Sequence, residues 1–332
     1  MTVPSLPAPS PSTGGYPHLD PFFRARLAEF DGAGSPTGTV PAAFLSPAGP
    51  WQPPAAVRIR DLTAAGPQGE VPLRTYSVPG PTGGDRPALV WMHGGGFVSG
   101  SLNWGEAHGV CAELAARTGA LVVSVDYRLV TDQVRYPLPL DDVDTAWRWL
   151  LDRTGRAGRP TRVLLGGASA GANLAIATAL RLRDRGDRMP DGLLLAYGAF
   201  HHPSPAPDPD LAGALAGLPA VLLNRESFDG GDFLRYTGPA PAPIYARPGH
   251  ADLTGLPPTA VISAEIDDLR PSSDLLARQL ADAGVPVTRY LARGMLHGHL
   301  NWFPGADLPE VDRTIDVLAQ ALAGAPRARI PA

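Results

Sequence analysis

Short apolar runs rich in branched residues alternate along this chain with longer stretches in which apolar residues recur every three to four positions. The first pattern predicts buried strands over residues 88–92, 120–126, 161–166, 192–196, 259–264 and 285–291. Residues 57–62 and 71–78 alternate in polarity about a Gly-containing turn and predict an antiparallel hairpin. The second pattern predicts helices over residues 107–118, 141–152, 172–180, 272–283 and 309–322. Nearer the N-terminus, Leu19, Phe22, Phe23, Leu27 and Phe30 fall near helical spacing, with Pro21 in the first turn, where proline is tolerated. That helix carries an apolar stripe that the main body or a ligand must cover. Strands that alternate with helices predict an α/β fold: a mostly parallel eight-stranded sheet flanked by helices, its first two strands antiparallel. No internal repeat is visible. Residues 201–256 are Pro-rich and irregular, and a connection that long is usually a lid or a pocket wall.

Composition narrows the classes. With 44% hydrophobic and 18% charged residues, the 332-residue chain can bury a sizeable core and is not globally disordered. A net charge of -4 without a basic cluster argues against a nucleic-acid surface. Cys111 is the single cysteine, so an internal disulfide framework and a thiolate metal site are excluded, and its expected role is core filler in a helix. No basic segment followed by an apolar run opens the chain, and no stretch reaches the length of a membrane span. The expectation is a cytoplasmic protein that does not associate with membranes.

Candidate chemistry centres on Gly167-Ala168-Ser169-Ala170-Gly171, between a predicted strand and a predicted helix. A serine at such a turn, with glycine two residues away on each side, fits a nucleophile elbow that lifts its hydroxyl above the sheet edge. The pentapeptide alone is a weak signal, because glycine-rich strand-to-helix turns are common. Three further features fall just after strand ends, where open parallel sheets bind ligands: His93-Gly94-Gly95-Gly96, Asp267, and Gly294-Met295-Leu296-His297-Gly298. Ester hydrolysis needs an activated hydroxyl, a base, a group that orients the base, and donors for the oxyanion. In those roles the order Ser169, Asp267, His297 matches nucleophile, orienting acid and base. The Ala170, Gly94 and Gly95 amides are the expected oxyanion donors, and His93, Gly96, Gly167 and Gly171 shape the two turns.

At these residues the chain resembles the hormone-sensitive-lipase-like branch of the α/β-hydrolase esterases, the bacterial carboxylesterases. The likeness runs from about His93 to His297. It includes His93 to Gly100, Asp126-Tyr127-Arg128-Leu129, Tyr136-Pro137-Leu138-Pro139, Gly167 to Gly171, Leu256-Pro257-Pro258 and Ala264 to Arg270. The resemblance implies a serine carboxylester hydrolase that acts on small to medium acyl esters through an acyl-enzyme and needs no cofactor or metal. Residues 1–17, rich in Pro, Ser and Gly, are expected to be a mobile tail or a strap, and the resemblance implies a helical cap segment over 18–50 and a catalytic domain over 51–332 whose insertion, about 201–256, adds to the cap. The partner is a small-molecule ester, and a homodimer stays open. So do acyl transfer, lactone opening or amide cleavage on the same triad, and a non-catalytic ligand receptor on the same scaffold; a peptidase is a weaker option.

Four positions depart from the family's usual pattern. Ala168 stands where it has Asp, and Asp268 where it has Pro after the acid, which leaves Asp268 as a rival to Asp267. His299 replaces Phe and is a rival base. Val130-Thr131-Asp132 replaces Ala-Pro-Glu. The last two are expected to alter pocket walls. Asp126 and Arg128 are expected to form a structural ion pair, and Asp141 and Asp142 to be helix-start charges. His201 and His202 face either the pocket or the surface. Trp104, Tyr197, Phe200 and Trp302 line the pocket or fill the core.

Overall fold

The structure, a computed structural model, describes residues 16–32, 42–45, 49–80, 86–157, 162–239, 241–305 and 307–324. Among them, eight strands form one sheet: β1 (Arg58–Gly66), β2 (Gly69–Ser77), β3 (Ala88–Met92), β4 (Leu121–Val125), β5 (Val163–Ala168), β6 (Leu193–Ala196), β7 (Thr259–Ile266) and β8 (Val287–Leu296). Their spatial order is β1-β2-β4-β3-β5-β6-β7-β8. The β1–β2 and β2–β4 pairs are antiparallel and the remaining pairs parallel, as the hairpin and the βα alternation predict.

The central strands are apolar throughout because the sheet is buried on both faces. In β3, Ala88, Val90 and Met92 enter one core while Leu89 and Trp91 enter the other. Helices α4 (Leu138–Ala157), α5 (Ala170–Arg185) and α9 (Arg270–Asp282) supply the first core. Helices α3 (Gly105–Thr118) and α10 (Pro309–Ala323) supply the second. Cys111 is buried in α3, as expected of core filler. No helix of the described residues is long and apolar enough to cross a membrane.

The N-terminal helix, α1 (Pro21–Gly32), lays Leu19, Phe23 and Leu27 into the second core, so the main body covers its stripe. Phe23 and the single-turn helix α2 (Ala42–Leu45), through Phe44, meet the Trp302 ring edge-on at centroid distances of 5.0 and 5.8 Å. The tail expected over residues 1–17 lies outside the described residues except for Tyr16 and Pro17. The Tyr16 hydroxyl donates to the Gly217 carbonyl.

Two expectations are corrected. Residues 201–256 are not irregular: they hold α6 (Pro209–Leu215), α7 (Arg225–Ser227), a π turn (Phe228–Asp232), α8 (Phe233–Thr237) and several 3-10 turns. α6 is only seven residues long, and residues 225–237 run on as one helical stretch whose register the π turn, with Gly230 and Gly231 in it, shifts part-way, so no regular period shows. Arg128 pairs with Asp142, not Asp126: Nε lies 2.9 Å from Oδ2 and the Arg128 amide donates to the same oxygen at 2.8 Å. Asp142 is therefore a buried ion-pair partner, while Asp141 stays in the first turn of α4.

Candidate active site

Three strand ends carry the site. Ser169 follows β5 at φ 52 and ψ −117, a strained backbone for a non-glycine residue and the geometry of a nucleophile elbow. The flanking glycines are required by space. A Cβ on Gly171 would stand 2.3 Å from the Met92 carbonyl oxygen, and one on Gly167 would stand 2.4 Å from the Gly171 carbonyl carbon. Ala168 is fully buried in the apolar second core.

β8 continues past its expected end at residue 291 to Leu296, paired with Ile266 beyond an irregularity in which Arg293 to Met295 of β8 stand opposite the single Glu265 of β7. His297 is thereby delivered at the strand's end rather than from a free loop. The polar Arg293 and Gly294 hid this extension; Arg293 Nη1 and the Gly294 amide both donate to Glu265, each at 2.8 Å.

The three sequence-predicted side chains meet. His297 Nε2 is 2.9 Å from Ser169 Oγ, and His297 Nδ1 is 2.8 Å from Asp267 Oδ2. The Asp267 carboxylate is fully enclosed, and its Oδ1 accepts from the Leu269 amide at 2.9 Å. Burial alone would lower the His297 pKa. The charge and hydrogen bond of Asp267, with smaller contributions from Asp268 and Glu106, outweigh it and raise the imidazole above its ordinary value.

The rivals are placed elsewhere. Asp268 accepts the Asn224 and Arg225 amides at 3.0 and 2.8 Å, tying the insertion to the sheet. His299 is buried against Thr314 and, by burial and the nearby His297, is pushed down to about 3. Neither His299 nor Val130 to Asp132 lines the cavity, so the expected change of pocket walls at those positions is not found. His201 is buried between Ser272 and Gln279, and His202 stacks on Phe233. Trp104 and Trp302 line the cavity; Tyr197 and Phe200 are core.

In the expected oxyanion loop, one of the amides expected to be free is not. The Gly94 amide is taken: it donates to the buried Glu106 Oε1 at 2.6 Å. Gly95 and Gly96, at φ +101 and +61, line the cavity beside Ser169. With the Ala170 amide at the start of α5, their N–H groups have no hydrogen-bond partner among the described residues. His93 shapes the loop as expected, with Nδ1 2.7 Å from the Gly94 carbonyl and its ring stacked on Tyr127.

Glu106 is the residue the sequence concealed. It stands in the first turn of α3, where a carboxylate reads as a helix-start charge. Its Oε2 accepts the Tyr197 hydroxyl at 2.8 Å, and the Tyr197 ring stands edge-on to His297 at 5.2 Å. Its amide donates to Asn301 Oδ1 at 3.2 Å. One buried carboxylate thus ties the oxyanion loop to the histidine's surroundings. Above the triad opens a cavity of about 600 Å³, walled by α2, the oxyanion loop, α3 and the insertion.

The α/β-hydrolase-fold family model matches residues 89–301, which is more than half of the chain. The chain belongs to the α/β-hydrolase-fold family. Esterase LipI of Mycobacterium tuberculosis is 32% identical over 255 residues, covering 74% of this chain and 76% of that one. An acetyl esterase of Salmonella paratyphi B is 31% identical over 242 residues, 71% of each chain. Among solved structures, a hyperthermophilic esterase from Pyrobaculum calidifontis superposes with a TM-score of 0.71 at 34% identity, over 80% of this hydrolase and 85% of that chain. These likenesses bear out the hormone-sensitive-lipase-like branch that the motifs indicate.

Proposed function

We propose that this hydrolase cleaves small to medium acyl esters through an acyl-enzyme on Ser169. The protein is a carboxylester hydrolase whose machinery is the chain of contacts from Ser169 Oγ through His297 to Asp267, and that chain of contacts carries the reading. Ser169 Oγ attacks the ester carbonyl carbon as His297 Nε2 takes its proton. Asp267 holds Nδ1–H, fixes the tautomer and stabilises the imidazolium. The Gly95, Gly96 and Ala170 amides receive the developing oxyanion; a donor of this kind typically contributes about 3 kcal/mol. His297 then protonates the departing alcohol, and a water activated by the same nitrogen releases the acid.

The acyl-size preference is supported by the cavity, a half-open pocket of about 600 Å³ lined by Phe44, Trp104, Phe228 and Trp302 among others. A fluorophosphonate probe followed by intact-mass and peptide analysis tests the nucleophile. The expected result is one adduct, on Ser169, and none in Ser169→Ala, which keeps its fold but loses p-nitrophenyl ester turnover by about 10⁶-fold. Parent-like hydrolysis by purified Ser169→Ala would overturn the assignment.

A further inference from the structure

Among the described residues, the cavity over Ser169 is lined by no Arg or Lys. It carries two carboxylates other than the triad's own. Glu106 is consumed by its internal hydrogen bonds. Asp232 is different. It is half-buried, forms no ion pair among the described residues, and its nearest cationic influence is the exposed Arg235 one turn on. Burial raises its carboxyl above the ordinary aspartate value, against a smaller lowering by Arg235. Its Oδ2 packs on Gly96, 2.8 Å from where a Cβ on that residue would stand.

That position opposes the reaction on a neutral ester. A fixed negative charge beside the oxyanion loop disfavours the negative charge that the same loop must receive, and the enclosed setting strengthens the repulsion. The opposition is relieved when the substrate brings a cation to Asp232. Trp104 and Phe228, which line the same cavity, add aromatic rings of the kind that attract such a cation. Resting on the carboxylester hydrolase reading, we propose that Asp232 is a specificity-determining residue that selects esters bearing an ammonium group close to the scissile bond.

An isosteric pair tests this: 2-(trimethylammonio)ethyl butyrate and 3,3-dimethylbutyl butyrate differ only at one atom, a positively charged nitrogen in the first and a neutral carbon in the second. The parent enzyme is expected to show a kcat/KM about tenfold higher for the charged ester. Asp232→Asn, checked by its thermal melting curve, brings the ratio toward one, and Asp232→Glu restores part of it. Equal rates on the pair, preference for the neutral ester, or an unchanged ratio in Asp232→Asn overturns the proposal. So does failure to cleave either ester by an enzyme that hydrolyses p-nitrophenyl butyrate. Inactivity on p-nitrophenyl butyrate as well would instead strike the carboxylester hydrolase reading itself.

Discussion

Asp267 and Asp268 are adjacent and chemically identical, yet they face different partners. Asp267 Oδ2 meets His297, whereas Asp268 holds two amides of the insertion. Asp267→Asn should therefore lower kcat by about 10³–10⁴-fold, because the amide presents a donor where the imidazole needs an acceptor. Asp268→Asn keeps an acceptor oxygen for one amide and should cost far less, chiefly in KM. Steady-state kinetics of the two variants decide the register; the reverse ranking would assign the acid to Asp268. The pH profile follows from His297. The imidazole must be neutral to accept the serine proton, and the Asp267 charge raises its pKa despite burial. Activity should thus fall as pH drops through that raised value, so the acid limb of kcat/KM lies above the range of an ordinary histidine. A limb at or below the ordinary value would mean that the base is another group or that Asp267 is not charged.

The strands and helices that present these residues were legible wherever their apolar pattern was complete. β3, β5 and β6 are unbroken apolar runs; Ser169 read directly from the end of β5, and Asp267 from the end of the largely apolar β7. What escaped depends on pairing rather than pattern. The last turn of β8 is held by ladder contacts and by Glu265, beneath residues that look like a loop. The oxyanion register escaped for the same reason: four consecutive residues His93-Gly94-Gly95-Gly96 do not reveal which amide a distant carboxylate occupies, and Glu106 lies twelve residues on, in α3. The loop and α3 therefore act as one unit. Glu106→Gln should lower kcat by about tenfold with a smaller change in KM, since the loop keeps its place but loses its charged clamp. Because Glu106 also supplies part of the negative field that raises the His297 pKa, the acid limb should move to lower pH. A stability loss alone, with kcat and the pH limb unmoved, would reduce Glu106 to a packing role.

At the scale of the molecule, the cavity is assembled from parts of the chain that are far apart in sequence. Phe44 comes from the N-terminal segment, Trp104 from the turn before α3, Phe228 from the insertion and Trp302 from beyond β8. The walls are continuous with the second core: Phe44 packs on Phe23 and on Trp302, whose indole N–H donates to the Phe44 carbonyl at 3.1 Å. A side chain there serves two ends at once. Removing the ring in Phe44→Ala should destabilise the protein by about 3–5 kcal/mol, as expected for an enclosed aromatic, because the surrounding rings cannot collapse fully into the gap. The same gap opens into the cavity above Ser169. The variant should therefore favour longer p-nitrophenyl esters relative to the parent, with the acyl-length optimum displaced upward into the space that the lost ring occupied. Denaturant melts and an acyl-length series read the two effects separately. A lower stability with an unchanged chain-length optimum would place Phe44 in the core alone and would take the N-terminal segment out of substrate selection.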